Sequence, residues 1–142
     1  MRQPGKVVST HLFRIGFRQE DRHLRASVSG YGGNLETTIA YWKAIGEQVR
    51  EVCPVSLLVV DRMDGGPMPP EQLPQFIDAL SGQGFEGMRI AYVEGNVDQL
   101  SQAEVAEILA CEKGFNVRVF SNEMDAAVWL RHGEIEPSRS PG

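Results

Sequence analysis

The apolar residues of this chain change their spacing several times, and each change marks an element. Phe13, Ile15 and Phe17 alternate with Arg14 and Gly16. After the polar stretch 19–22, Leu24, Ala26 and Val28 alternate with Arg25, Ser27 and Ser29. A period of two is that of a half-buried strand, so the pair predicts a β-hairpin with one face inward. Gly30-Tyr-Gly-Gly33 closes it. The spacing then becomes helical. Asn34 is a good N-cap, Glu36 suits the positive end of a helix dipole, and Leu35, Ile39, Trp42, Ile45 and Val49 form one stripe.

Pro54 stops that helix, and an unbroken apolar run, residues 55–60, follows. A run apolar on both faces predicts an interior strand of a parallel sheet covered by helices. It reaches Asp61-Arg-Met-Asp-Gly-Gly66, where two glycines break the backbone. The next helix is predicted to start near Leu73–Pro74, turn Phe76, Ile77 and Leu80 inward and end near Gly82. Residues 88–93 predict a strand. Ser101-Gln-Ala-Glu104 matches a capping box, with Val105, Ile108 and Leu109 as the stripe behind it and Gly114 as the stop. Residues 116–120 predict a last strand. Ser121 is expected to cap a last helix carrying Met124, Ala127, Val128, Trp129 and Leu130.

The order predicted is β-β-α-β-α-β-α-β-α: one α/β domain over residues 7–132, with a mixed sheet made of an N-terminal hairpin and parallel βαβ units. Residues 1–6 are expected to form a flexible start and 133–142 a flexible tail. With 142 residues the chain can bury a core without staples. A net charge of −5 argues against nucleic acid as a partner, since binders of it show a basic face. Cys53 and Cys111 fit neither a zinc spacing nor a redox pair and are expected to be small buried hydrophobes. The start lacks the apolar core of a signal peptide and no stretch reaches bilayer length, so a cytoplasmic protein without an integral membrane segment is expected.

The hairpin, Leu57-Leu-Val-Val-Asp61 and the closing Val119-Phe-Ser-Asn-Glu-Met-Asp-Ala-Ala-Val-Trp-Leu130 resemble the STAS fold. That fold is named for sulfate transporters and anti-sigma-factor antagonists, and more narrowly the chain looks like the small stand-alone bacterial STAS-like proteins. In the antagonists a Ser in the loop after the central strand is phosphorylated and switches partner binding. Residues 61–70 here contain no Ser or Thr, and Asp64 stands near the place of the hydroxyl. The resemblance therefore implies a non-catalytic regulatory or binding module that acts through contacts with a protein partner, without a Ser/Thr phospho-switch. Lipid-exchange domains of the CRAL-TRIO type are similar more distantly.

Ligands of open α/β sheets bind in the crevice beyond the carboxyl ends of the strands. The candidate binding residues are therefore Asp61, Arg62, Met63, Asp64, Gly65 and Met68. Asp61 is expected to cap the loop, and Asp64-Gly65 to turn it. An acidic pair such as Asp61 and Asp64 holds Mg²⁺ in receiver domains, but the opening hairpin and the late Phe120-Ser-Asn break that order, so no metal is expected. Gly30-Tyr-Gly-Gly-Asn34 matches neither a dinucleotide fingerprint nor a P-loop. His11, His23 and His132 are scattered, no Ser carries a nucleophile signature, and neither catalytic residues nor a cofactor is expected. Met63, Pro67, Met68, Pro69 and Pro70 make the loop unusually apolar. That surplus predicts a homodimer contact there or, alternatively, a lid. The alternative function is a carrier of a small apolar or anionic ligand at the strand ends.

Overall fold

In the computed structural model, which describes residues 5–20 and 23–132, the chain forms one six-stranded mixed sheet and four α-helices. The strands are β1 (Lys6–Ser9), β2 (Phe13–Glu20), β3 (His23–Tyr31), β4 (Ser56–Asp64), β5 (Arg89–Glu94) and β6 (Asn116–Phe120). The helices are α1 (Leu35–Val52), α2 (Leu73–Ala79), α3 (Leu100–Glu112) and α4 (Glu123–His132). The sheet order equals the chain order, β1-β2-β3-β4-β5-β6. β1, β2 and β3 pair antiparallel, and β3 to β6 pair parallel.

A sheet that grows in one direction through successive crossovers places its connecting helices on one face. Residues of α1, α2 and α3 accordingly share one core cluster with Phe13, Ile15, Leu24, Val28, Leu57 and Val59. The opposite face of β4 and β5, carrying Leu58, Val60, Ala91 and Val93, packs on Ala126, Trp129 and Leu130 of α4. The doubly apolar run of β4 thus has cover on both sides, as its composition demands. Arg25 on β3 makes a bidentate contact with Glu123 at 2.5 and 3.2 Å, and Arg62 reaches the same carboxylate at 3.3 Å. These contacts hold the first turn of α4 to the sheet, and Arg25 keeps the Glu123 carboxyl below the usual range.

Several expectations need correction. β1 was not predicted; it begins at Lys6, inside the expected loose start, because Val8 adds to the sheet edge opposite Ile15. Residues 1–4, residues 21–22 of the hairpin turn and the expected tail at 133–142 lie outside the described residues. The capping box does not form. α3 already starts at Leu100, after a short turn at Val97–Gln99 capped by Asn96. Its inward face is the small one, with Ala106, Leu109 and Ala110 packed on the core, while Val105 and Ile108 are exposed. Asn122, not Ser121, accepts the Asp125 amide at the start of α4, and Met124 and Val128 point outward.

Cys53 and Cys111 are both exposed. Cys53 ends α1 in the left-handed conformation, φ 49°, its amide bonded to the Val49 carbonyl, a position where glycine is more usual. Phe85, in the connection after α2, is fully buried against Trp42 and was missed because no periodicity surrounds it. Trp42 and Trp129 are core anchors as expected, 6% and 7% exposed. Trp129 is the largest side chain that α4 buries and also lies under the Arg118 guanidinium. Replacing Trp129 by Ala should cost about 3–5 kcal/mol of stability, measured as a shift of the urea midpoint. A loss well under 1 kcal/mol would mean that α4 contributes little to the core.

Candidate functional site

Between the carboxyl ends of β4 and β5 and helices α1, α2 and α3 lies a cavity of about 140 Å³. Two backbone breaks shape its mouth. Gly33 and Gly65 both have φ near +98°, and a Cβ on either would come within 3 Å of a Gly66 or Gly32 carbonyl oxygen. The Gly32 amide donates to the Asp64 carbonyl at 2.8 Å, which closes the two loops on each other. Only residues without a side chain allow that approach.

The walls are apolar and aromatic. Trp42 stacks on Tyr92, with centroids 6.1 Å apart, and leans on Phe76 at 6.2 Å. Met63, Met68 and Ala106 add aliphatic surface. The loop over residues 63–70 therefore folds back over the sheet end: Met68 is buried and Met63 half-buried. Gln102 binds the Met68 carbonyl and Gln99 the Gly65 carbonyl, at 3.0 Å for the latter, so α3 and the turn before it hold the loop closed.

The floor is acidic. Asp61 and Glu94 are register partners where β5 ends and the apolar run of β4 stops. The Tyr92 hydroxyl donates to Asp61 and approaches Glu94 at 3.4 Å. Asp61 also accepts the Met63 amide at 2.8 Å, within β4, so it does not cap a loop as expected, and Glu94 accepts the Asn96 amide at 3.2 Å. Burial pushes the Asp61 carboxyl up, against the pull of the Tyr92 and Met63 hydrogen bonds. Glu94 is pushed up to about 7, first by burial and then by the Asp61 charge. Tyr41 and Tyr92 are raised well above the ordinary phenol range, mainly by burial.

Of the six expected binding residues, the structure brings Asp61, Met63, Asp64 and Met68 to the cavity. Arg62 alternates to the opposite face and pairs with Glu123. Gly65 shapes the mouth without lining it. Asp64 closes β4 and Gly65 supplies the turn after it. The sequence reading missed Glu94, Tyr92 and Tyr41. One signal could have found two of them, because β5 also runs from apolar residues into an acid, Tyr92-Val-Glu94, and would align with β4 in a parallel pair. No group of three or more His, Cys, Asp or Glu among the described residues is placed to hold a metal ion.

Compared with known proteins, the chain matches no family model, no curated protein and no solved structure. No described helix is long and apolar enough to cross a membrane.

The electrostatics have a measurable sign. Folded Glu94 holds its proton up to about pH 7, whereas its ordinary value is 4.5. Ionising it therefore costs stability, which is highest in acid and falls as pH rises through about 7. Glu94→Gln removes that fall. The variant should gain about 1–3 kcal/mol over the parent at about pH 8 and little near pH 4.5, read from urea midpoints at each pH. A difference that does not grow with pH would contradict the buried-carboxylate account.

Proposed function

We propose that this chain is a STAS-like, non-catalytic module that binds a small molecule in the cavity at the carboxyl ends of β4 and β5. The observation that carries this reading is the cavity itself: apolar walls, a few convergent polar groups and a closed loop over the mouth, the usual make-up of a ligand site. The STAS-like part rests on the run of elements from β2 onward, which follows the order on which the resemblance was built. Regulation would come from the loop over residues 63–70, whose position depends on what fills the space beneath it. It needs no phosphorylated hydroxyl, since that loop has none.

One observation favours acid–base catalysis as a second reading. Glu94 ionises near neutrality beside Tyr92 and Asp61, the kind of group that exchanges protons with a substrate. The cavity lining holds no Ser, Cys, Lys or His among the described residues, and the binding reading is the fuller account.

Native mass spectrometry of the chain purified from its own host tests both. A bound small mass should be present and should disappear in Ala106→Phe, which fills the cavity, while the melting temperature changes by only a few degrees (about 1 kcal/mol or less). A mass retained by Ala106→Phe, or none at all, would overturn the binding reading. A mass that converts on incubation would favour catalysis.

Homodimerisation through the same loop is a separate proposal, narrowed by the structure. Met63 and Met68 have places against the core, so Pro67, Pro69 and Pro70 are the apolar residues left exposed there. Light scattering over a concentration series should show a dimer that Pro69→Asp dissociates. A monomer at high concentration would remove the contact without touching the ligand site.

A further inference from the structure

We propose that the ligand of this cavity is a small organic cation, a primary amine on an apolar and preferably aromatic body, whose ammonium sits on the Asp61 and Glu94 carboxylates. The inference rests on reading the cavity as a ligand site and adds the class of ligand.

Charge is the first argument. The charged residues lining the cavity are Asp61, Asp64, Glu94 and Glu107, and no Lys, Arg or His lines it among the described residues. The one cation of the adjoining strand, Arg62, faces the other side of the sheet and is engaged with Glu123. An anionic ligand would enter against four carboxylates and no counter-charge. A cation would complete the pairing that a buried carboxylate ordinarily has.

Hydrogen bonding is the second. Asp61 and Glu94 share the single Tyr92 hydroxyl proton, and each has one further donor, a backbone amide. Once Glu94 has lost its proton, the two carboxylates offer about eight acceptor sites, so acceptors outnumber donors heavily. A primary ammonium brings three donors and no acceptor, the complement of this deficit.

Shape is the third. A volume of about 140 Å³ is close to the roughly 150 Å³ that accommodates benzene in an engineered cavity, so a single ring fits. Trp42, Phe76 and Tyr92 line the cavity with aromatic surface for an apolar body, and an aromatic ring near an ammonium can add attraction of its own. A bare metal ion would leave those walls unused.

The test is calorimetric titration at about pH 7.5 with three probes of one shape: 2-phenylethylamine, 2-phenylethanol and phenylacetate. The amine should bind at least about tenfold more tightly than the alcohol, the scale of a hydrogen-bonded charge, and phenylacetate should bind more weakly still. Glu94→Gln and Asp61→Asn each keep the shape of the floor. Each should lower amine affinity about tenfold or more while moving the alcohol by less than about threefold. An alcohol or phenylacetate that binds as well as the amine overturns the amine assignment and leaves the ligand site standing. Amine affinity unchanged in both variants overturns it as well. If none of the probes binds, the amine assignment falls, and the co-purified mass with its Ala106→Phe control decides the ligand site separately.

Discussion

The structure depends on the burial of β4 on both faces. Leu57 and Val59 point into the cluster shared with α1, α2 and α3, and Leu58 and Val60 into the cluster shared with α4. A strand apolar on alternate sides cannot lie at an edge or face water, so it must be interior and have helices above and below. The sheet supplies this by growing in one direction, which puts three helices on one face and leaves the other to α4 alone. The double clasp of Arg25 and Arg62 on Glu123 then fixes the single helix that covers the second face.

The same strand decides where chemistry can occur. Its apolar run stops at Asp61, and the neighbouring β5 stops in register at Glu94. Parallel pairing thus brings two carboxylates to one end of the sheet, where the chain leaves each strand and opens a crevice. Trp42 and Phe76 reach into that crevice from α1 and α2, and the loop after β4 is drawn over it by Gln99 and Gln102. Apolar surroundings raise the cost of ionising both acids, and the Asp61 charge raises it further at Glu94. An acidic floor under aromatic walls is the distinctive feature of this domain, and it arises from register, not from any motif.

Local patterning and tertiary context separate most clearly on α3. Val105 and Ile108 look like a core stripe in sequence, yet the helix turns its alanines inward. The cavity lies beneath it, and the sheet on that side already carries bulky residues, so small residues give the closer approach. The misplaced cap has a related cause. The short turn at Val97–Gln99 runs directly into Leu100, so the helix starts before the Ser-Glu pair that would have capped it. Cys53 illustrates a third kind of miss, because the helical spacing that suggested burial stops at Val52 and Cys53 leaves the helix in the left-handed conformation, exposed.

By itself the sequence determined the α/β class, the hairpin, the interior rank of β4, the inward face of α2, the limits of β6 and the roles of both tryptophans as anchors. These follow from periodicities of two and 3.6 and from apolar runs, which are local and survive without knowledge of neighbours. It also pointed to the segment from Asp61 to Met68, part of which lines the cavity, since an apolar run followed by two glycines is visible in one segment. Only the tertiary structure decided that Glu94 stands beside Asp61, that Tyr92 bridges them, that Arg62 turns away and that Met68 is part of a wall. Each of those depends on strand adjacency and on register, where a slip of one residue would send every side chain to the other face. No single segment contains that information.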